Sequence, residues 1–466
     1  MKTILYQNAD WILTMDGDRR RYRHGDLLIS GNEIVDVGER LAEKHRATTP
    51  IDEVVDASGR VILPGFVNVH HHTWQSLIRN INVANGLVLE PWLQVMFEIF
   101  KDLTPEVARA GVYAGLGDAL KTGCTTSNDL FYPHPVEGLV EATILAAEEI
   151  GIRFHPNRGF ESLASNIVPP EIISAPEEII ADTERLVKRY HDPSRFSMCR
   201  VGVAPSMPQY GTLESLRAAL DLAEKYDLLV HGHLAESRYE TEFTLEKFGC
   251  RPFEWFRRHD LLGERFYYAH CVHINEEEVR QMAKTNTGIA HCPISNMFLN
   301  SGVSPIPAYL KAGVSRIGLG VDGAASSNSS NMMEEIRSAY LVNRLTWGRD
   351  AVGPEDILYL ATAGGAKTLG RDDIGFLAPH MAADLVVMDW NQLQYAGGCN
   401  DPAACIVISG DPRMVKDVVV NGETVVRDGK LTRIDEAETC GLVNRVGREL
   451  LTKASVREPR LKADLV

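Results

Sequence analysis

The segment GFVNVHHHTWQS, Gly65 to Ser76, places three consecutive histidines at the end of an apolar run. The residues before them, VILPGFVNV, have the composition of a buried β-strand, which disfavours a solvated His-rich turn. Side chains alternate between the two faces of a strand, so we expect His70 and His72 to point one way and His71 the other. His70 and His72 can then chelate one metal ion, whereas His71 is predicted to face a wall or a helix of the fold.

Beyond this segment the chain alternates between helical and strand patterns. Thr104 and Pro105 are typical of a helix N-cap and first position, and Gly123 of a helix end. Further helices are predicted at 136–151, 176–192 and 212–227, and further strands in IRFHPNRG, CRVGVAPS, LLVHGHLAES, RFYYAHCV, TGIAHCPIS and VSRIGLGVDGA. At least seven strand–helix units in about 300 residues predict a closed (β/α)8 TIM-type barrel. An open doubly wound sheet is the alternative, but its glycine-rich turn after the first strand is missing from the sequence.

Both ends of the chain carry short β-type runs. Gly31-Asn32 and Asn421-Gly422 are hairpin signals between such runs. We therefore predict one small β-sandwich domain built from residues 1–62 and 376–466, beside a catalytic barrel domain at residues 63–375.

Ionisable residues follow several of the predicted barrel strands. They are His70 to His72 after the first strand, His231, His233 and Glu236 after the fifth, His270 after the sixth, His291 after the seventh and Asp322 after the eighth. Catalytic groups of such barrels lie at the carboxyl ends of the strands, so these side chains are predicted to face one mouth. Imidazoles with one carboxylate suit Zn²⁺, with iron or manganese as alternatives. Strand alternation pairs His231 with His233 and leaves open which of them is a ligand.

Five segments carry a family resemblance: GFVNVHHH, HLAES, AHCVH, HCPISN and GLGVDGAASSNSSNM. In order and spacing they resemble the amidohydrolase superfamily, in the branch of the adenosine, guanine and cytosine deaminases and the triazine hydrolases. Within this branch the chain is most similar to the 8-oxoguanine deaminases, and it also resembles isoxanthopterin deaminases and hydroxyatrazine ethylaminohydrolases. The resemblance implies one zinc ion per subunit, held by His70, His72, His233 and Asp322, with His231 in a supporting position.

The resemblance also implies the roles of the catalytic residues. Glu236 is the acid/base that protonates a ring nitrogen next to the attacked carbon. His270 and Asp322 hold the attacking water and take its proton, and sequence does not divide that transfer between them. Binuclear relatives that hydrolyse cyclic amides carry a carbamylated lysine at the fourth strand end, where this chain has Ser206 in VGVAPSMPQ. This difference favours one metal ion and a deaminase reaction.

Four residues are candidates for substrate contact: Gln75, Trp92, Ser206 and Arg158. By resemblance, the Gln75 amide is expected to hydrogen-bond the edge of a heterocycle. As a large aromatic residue, Trp92 is expected to supply flat apolar contact for a ring. The expected activity is hydrolytic deamination of an amino-substituted nitrogen heterocycle, 8-oxoguanine or a related purine or pterin. The alternatives are a triazine hydrolase that releases chloride or alkylamine, and a catalytically dead scaffold with the same fold.

Composition and sequence pattern restrict the partners and the cellular location that we expect for the protein. The formal net charge of -15 over 466 residues opposes binding to nucleic acid. The sequence has no apolar run of membrane-spanning length, and its N-terminus does not resemble a secretory signal. The eight cysteines form no CxxC pair, which is typical of reduced thiols in a cytoplasmic protein. The resemblance adds the expectation of a homo-oligomer.

Overall fold

A closed barrel of eight parallel strands forms the centre of the molecule. The structure is a computed structural model, which describes residues 2–45 and 49–465. The strands are β1 (Thr3–Leu13), β2 (Arg21–Ser30), β3 (Glu33–Gly38), β4 (Glu53–Asp56), β5 (Arg60–Pro64), β6 (Phe66–Asn68), β7 (His71–His72), β8 (Cys124–Phe131), β9 (Arg153–Gly159), β10 (Gly202–Ala204), β11 (Val230–Leu234), β12 (Phe266–His270), β13 (Gly288–His291), β14 (Ile317–Leu319), β15 (Asp322–Gly323), β16 (Leu385–Asp389), β17 (Val415–Val420), β18 (Glu423–Arg427) and β19 (Lys430–Leu431).

Helices connect the barrel strands, and a long helix lies near the C-terminal end of the chain. The α-helices are α1 (Leu41–His45), α2 (Leu89–Phe100), α3 (Pro105–Lys121), α4 (Leu139–Ile150), α5 (Pro176–Tyr190), α6 (Leu213–Tyr226), α7 (Arg238–Phe248), α8 (Pro252–Arg258), α9 (Glu276–Thr285), α10 (Pro293–Phe298), α11 (Ile306–Ala312), α12 (Ala324–Ser327), α13 (Met332–Trp347), α14 (Pro354–Tyr359), α15 (Gly365–Thr368), α16 (Pro402–Ala404) and α17 (Glu436–Ala454). Short 3-10 turns lie at Thr73–Leu77, Asn82–Ala84, Pro170–Ile172, Pro412–Met414 and Pro459–Leu465, and π-helical turns at Leu360–Gly364 and Cys405–Ser409. Across residues 2–45 and 49–465, no helix combines the length and apolar character needed to cross a membrane.

The barrel strands β6 and β8 to β14 pair in chain order, and β14 returns to β6. Asn68 ties this closure together. Its side-chain oxygen accepts a hydrogen bond from the Val321 N–H at 3.0 Å, and its amide nitrogen donates to Ser127 Oγ at 3.0 Å. The predicted (β/α)8 barrel is therefore confirmed, and its first and last strands are held at the point where His70 and Asp322 follow.

Strand β8 is a barrel strand that the sequence pattern did not reveal. Its sequence, CTTSNDLF, is mostly polar, yet all eight residues are buried. Hydrogen bonds offset that burial: the Asn128 amide donates to the His155 carbonyl at 3.0 Å and to the Tyr267 hydroxyl at 2.8 Å. A search for apolar runs passes over such a strand, because its polar groups are satisfied by neighbouring strands rather than by water.

Helix α3 fixes the segment that follows the three histidines. It begins as predicted, with Thr104 Oγ1 accepting the Val107 N–H at 3.2 Å and Pro105 in the first position. A Cβ at Gly111 would lie 2.6 Å from Trp74 Cα, so only glycine permits this close approach of helix and loop. The 73–77 turn is therefore held rigidly beside the barrel mouth.

The two ends of the chain form one nine-stranded sheet, which confirms the prediction that strands from both ends belong to one β structure. Strand β5 joins them, since it pairs with β1 on one side and β16 on the other. The β3 edge turns back on the segment before β16: the Ile34 N–H donates to the Met381 carbonyl and the Ala383 N–H to the Asn32 carbonyl, both at 2.8 Å. The sheet thus folds round a core of its own.

Helix α17 lies outside this sheet, against the barrel helix α3. Lys121 Nζ is 2.6 Å from a Glu436 carboxylate oxygen, and Arg445 is 2.9 Å from Glu106. The C-terminal segment therefore contacts the barrel as well as the sheet. The division of the chain at residues 62 and 376 stays a prediction.

Candidate active site

The first and last barrel strands continue beyond the barrel and bring their polar ends together. Strand β7 pairs in parallel with β15, so that His71 lies opposite Asp322 and His72 lies opposite Gly323. The Asp322 N–H donates to the His70 carbonyl at 3.0 Å. As a result, Asp322 Oδ1 lies 3.2 Å from His70 Nε2 and 3.4 Å from His72 Nε2.

A chain of two hydrogen bonds determines which nitrogen of His70 carries the proton. The Tyr267 carbonyl can only accept, so His231 Nδ1, 3.0 Å away, carries a hydrogen and donates it. His231 Nε2 is then an acceptor, and His70 Nδ1–H donates to it at 2.7 Å. This leaves a bare lone pair on His70 Nε2, which is buried and has no hydrogen-bond partner among the residues described.

Two further imidazole nitrogens face the same point. His72 Nδ1 donates to the Leu130 carbonyl at 2.6 Å, so its Nε2 also carries a lone pair. His72 Nε2 lies 3.3 Å from His233 Nε2. His70, His72 and Asp322 form one group whose ligand atoms lie within 4.8 Å of one another, and His70, His233 and His270 form a second. Lone pairs that converge in a buried site repel unless a cation lies between them, so this is a His/Asp metal-binding site.

Hydroxyl groups hold the Asp322 carboxylate in position. Ser295 Oγ donates to Oδ2 at 2.5 Å, and Ser326 Oγ lies 3.3 Å from the same oxygen. Oδ1 accepts the Gly323 N–H at 2.7 Å. These contacts leave Oδ1 directed toward the histidines. Ser295 was not singled out from sequence, because it does not stand at a strand end. Ser326 begins the segment SSNSSN, which from sequence is expected to order Asp322 or to cap the following helix.

Two of the histidines at strand ends face away from this point. His71 Nε2 lies 2.9 Å from Ser330 Oγ, on the side opposite to His70 and His72, as strand alternation requires. His291 was also expected at the mouth, and this expectation is wrong. Its Nε2 lies 3.4 Å from the Asn343 amide on α13, so the ring points into the layer between strand and helix.

Glu236 and His270 form the second part of the site. The Glu236 backbone N–H donates to the Glu240 carboxylate at 3.0 Å, which fixes the loop after β11. A Glu236 carboxylate oxygen lies 3.4 Å from His270 Nε2. His270 Nδ1 donates to the Asn296 side-chain oxygen at 2.8 Å, so Nε2 is the atom that faces Glu236. This places Asn296, the last residue of the HCPISN segment, directly behind His270.

Burial sets the charge states of this pair. Burial, together with the nearby charges of Asp322 and Glu90, holds the pKa of Glu236 well above its ordinary value. Burial lowers the pKa of His270 below its ordinary value. Burial therefore favours the protonated carboxyl group at Glu236 and the neutral imidazole at His270. The backbone at His270 and Asp322 is left-handed, with φ of 71° and 60°, a strain that concentrates at functional sites.

A cavity of about 610 Å³, measured to its open mouth, lies above these groups. Three of the four predicted substrate contacts, Gln75, Trp92 and Ser206, line it together with His72, His233, Glu236, His270 and Asp322.

Arg158, the fourth predicted contact, lies outside the cavity lining of the described chain. Its guanidinium donates to the Gly159 carbonyl at 2.7 Å and to Asp182 at 3.2 Å. The expectation for Arg158 is corrected accordingly: its side chain ties β9 to α5.

The sequence profile of the amidohydrolase family matches residues 61–425. The chain belongs to the amidohydrolase family. The match begins at β5 and ends in β18, so it includes the whole barrel and part of the terminal sheet.

Curated relatives of this amidohydrolase include several deaminases. An 8-oxoguanine deaminase of Pseudomonas aeruginosa is 37% identical over 418 residues, 89% of this chain and 92% of that protein. A hydroxydechloroatrazine ethylaminohydrolase of a Pseudomonas species is 33% identical, covering 97% and 96% of the two chains. The crystal structure of an atrazine chlorohydrolase from Arthrobacter aurescens, complexed with zinc, superposes with a TM-score of 0.88 at 27% identity, over 94% of this chain and all of that one. Together they support a hydrolytic deaminase of this family.

Three cavity-lining residues with oxygen-bearing side chains were not predicted from the sequence of this amidohydrolase: Tyr132, Glu161 and Tyr210. Tyr132 lies directly after β8, the strand that the pattern missed. Glu161 stands in NRGFES just beyond β9, and its acidic type at a strand end was the available signal. Tyr210 follows the VGVAPSMPQ segment and has no pattern of its own.

Gln75 can lie at the cavity because residue 323 is a glycine. A Cβ at Gly323 would lie 1.8 Å from Gln75 Oε1, so the amide occupies space that any other residue would fill. The Gln75 side chain hydrogen-bonds the Tyr132 phenol. Its Oε1 lies beside Gly323 and is buried and unpartnered among residues 2–45 and 49–465, so it is an acceptor without a donor.

Proposed function

We propose that this amidohydrolase is a zinc-dependent deaminase of an amino-substituted nitrogen heterocycle, with 8-oxoguanine or a related purine or pterin as substrate. One observation carries the proposal. Bare imidazole lone pairs and Asp322 converge beside Glu236, a carboxyl group whose pKa burial raises, at the floor of the cavity. The 8-oxoguanine deaminase likeness, at 37% identity, supports the substrate class.

His70, His72, His233 and Asp322 are the residues that would hold the metal. Three imidazole nitrogens and one carboxylate oxygen are a donor set that suits zinc. The unpartnered lone pair on His70 Nε2 fits a ligand role, and the related chlorohydrolase was crystallised with zinc. When bound, zinc supplies Lewis acidity that lowers the pKa of water at the site toward neutrality.

Glu236 is proposed as the proton donor to the substrate ring. Burial raises the pKa of this carboxyl group and so favours its protonated form. Transfer of that proton to the ring nitrogen beside the amino-bearing carbon makes this carbon electrophilic. The backbone bond to Glu240 keeps the carboxyl group in one place through the transfer.

His270 and Asp322 are the two acceptors available to the proton of the attacking water. The Asn296 bond keeps the His270 hydrogen on Nδ1 and leaves Nε2 free to accept. Ser295 and Ser326 occupy Oδ2 of Asp322 and leave Oδ1 for the site. A proton taken by either group is then available to the departing amine, which leaves as ammonia.

The cavity walls supply orientation. Trp92, Leu93 and Phe97 present apolar surface that would flank a planar ring. Gln75 Oε1 would accept a hydrogen bond from an N–H on the ring edge. A neutral two-ring heterocycle suits this combination of flat apolar surface and few polar groups.

The test is a screen of the zinc-loaded protein against aminopurines, pterins, pyrimidines and triazines. We expect ammonia from an aminopurine or aminopterin and loss of that activity on chelation, with recovery when zinc is restored. Chloride or alkylamine released from triazines without ammonia from any purine would favour the triazine hydrolase instead. Hydrolysis of cyclic amides alone, or no turnover with tight metal-independent partner binding, would refute the deaminase.

A further inference from the structure

The cavity wall formed by the third and fourth barrel strands contains a carboxyl group that the reaction does not use. Glu161 follows β9, and Ser206 follows β10. The proposed metal ligands come from the first, fifth and eighth strands, so Glu161 lies on a different part of the rim. Its residue is 7% exposed and lines the cavity.

One oxygen of Glu161 is already engaged. The Glu161 side chain hydrogen-bonds Ser206. The single hydroxyl hydrogen of Ser206 is donated to the Phe160 carbonyl. Ser206 therefore lies on one side of the Glu161 carboxyl group and is also bound to the Phe160 carbonyl.

The other oxygen of Glu161 has nothing to bind. Oε2 is buried and has no hydrogen-bond partner in the described part of the chain. An unsatisfied buried acceptor costs about 1–3 kcal/mol, so such an atom at a cavity wall marks a place for a ligand donor. Burial also raises the pKa of Glu161 to about 8, so the protonated carboxyl group predominates at neutral pH.

We propose that Glu161 selects the substrate by accepting, at Oε2, a hydrogen bond from a ring N–H remote from the carbon that loses its amino group. This inference rests on the proposed deaminase function. In 8-oxoguanine the amino-bearing carbon and the two N–H groups of the five-membered ring lie at opposite ends of the molecule. Guanine retains only one of those two hydrogens, so Glu161 would favour the oxidised base.

Two substitutions separate this role from a packing role. Gln replaces a protonated carboxyl group almost atom for atom: its NH₂ donates to Ser206 and its oxygen stays an acceptor. We expect Glu161→Gln to keep kcat/KM for 8-oxoguanine within about fivefold of wild type. Glu161→Leu removes the acceptor and should lower kcat/KM at least about fiftyfold. Equal losses in the two variants, or no loss in either, would overturn the proposal.

Methylated substrates test the same contact from the other side. Wild type should discriminate strongly against either 7-methyl- or 9-methyl-8-oxoguanine, whichever lacks the hydrogen that Oε2 accepts. In Glu161→Leu this discrimination should fall at least tenfold, while the ratio for the other isomer stays unchanged. Unchanged ratios for both isomers would refute the contact.

The outcomes for the two proposals are distinct. If zinc-loaded wild type releases ammonia from 8-oxoguanine and Glu161→Leu does so equally well, only the Glu161 proposal fails. If wild type is inert toward 8-oxoguanine but deaminates another heterocycle, the Glu161 proposal and the substrate assignment fail and the deaminase stands. Release of ammonia from none of the heterocycles refutes the proposed function itself.

Discussion

Replacing His231 with phenylalanine tests whether the hydrogen bond from His70 to His231 increases the metal affinity of the site. His231 is fully buried and stacks on Tyr267, with ring centroids 4.0 Å apart and planes 9° apart. Phenylalanine preserves this stacking but removes the nitrogen that accepts the His70 Nδ1–H at 2.7 Å. His70 then loses the bond that holds its lone pair on Nε2.

The expected loss is one of metal affinity. Removal of such a supporting hydrogen bond costs about 10- to 100-fold in affinity, or about 1.4–2.8 kcal/mol. The assay is a titration of zinc into purified, metal-depleted protein in the presence of a competing fluorescent chelator. His71→Gln is the matched control, because His71 bonds Ser330 on the other face and should keep zinc affinity within about twofold of wild type.

Zinc binding by His231→Phe as tight as wild type would refute the tautomer argument. An equal loss in His71→Gln would show that the two faces of the strand are not distinct. Circular dichroism of each variant separates loss of affinity from loss of fold.

Two further predictions concern stability and substrate contact. Burial lowers the pKa of both His71 and His291 from 6.5 to about 3. Below pH 6.5 the unfolded chain gains protons that the folded chain does not, so the free energy of unfolding of the chelated protein should fall by up to about 1.4 kcal/mol per histidine per pH unit. Urea unfolding at pH 7 and pH 5.5 checks this; His291→Gln should flatten the dependence, and stability that holds or rises on acidification contradicts it. Gly323→Ala places a Cβ 1.8 Å from Gln75 Oε1 and should raise KM about tenfold, whereas Gly441→Ala, with open space at its Cβ, should leave KM unchanged. Equal KM values in wild type and Gly323→Ala would remove Gln75 from the substrate site.

Local backbone geometry explains what the sequence predicts well. The contrast between His71 and its neighbours follows from alternation along one strand, which needs no knowledge of the rest of the fold. The barrel can be predicted equally well, because each strand–helix unit carries its own sequence signals, such as the Thr104 N-cap. The likeness to a known family, rather than spacing, chose His233 over His231.

What sequence reasoning missed depends on contacts between distant segments. Strand β8 is polar and buried, and only its neighbours show how its polar groups are satisfied. Arg158 has the residue type of a substrate contact but is engaged by Asp182, 24 residues away. Glu161 becomes a candidate only when Ser206, from the next strand, is seen to occupy one of its two oxygens.

The oligomeric state and the identity of the metal can each be measured directly. We predict a homo-oligomer, which light scattering coupled to size-exclusion chromatography measures, and a monomer at all concentrations would contradict it. Metal analysis of the purified protein should give one zinc per chain, and two would contradict the mononuclear site.

Ammonia release from 8-oxoguanine by wild type and by Glu236→Gln, each at one zinc per chain, tests the central claim most directly. Glu236 is 3% exposed, and glutamine fits its place without its acidic proton. We predict stoichiometric ammonia from wild type, and turnover about 10²- to 10⁴-fold slower in the variant at unchanged zinc content. Full activity in Glu236→Gln, or zinc-loaded wild type that releases no ammonia from any amino heterocycle, would contradict the account.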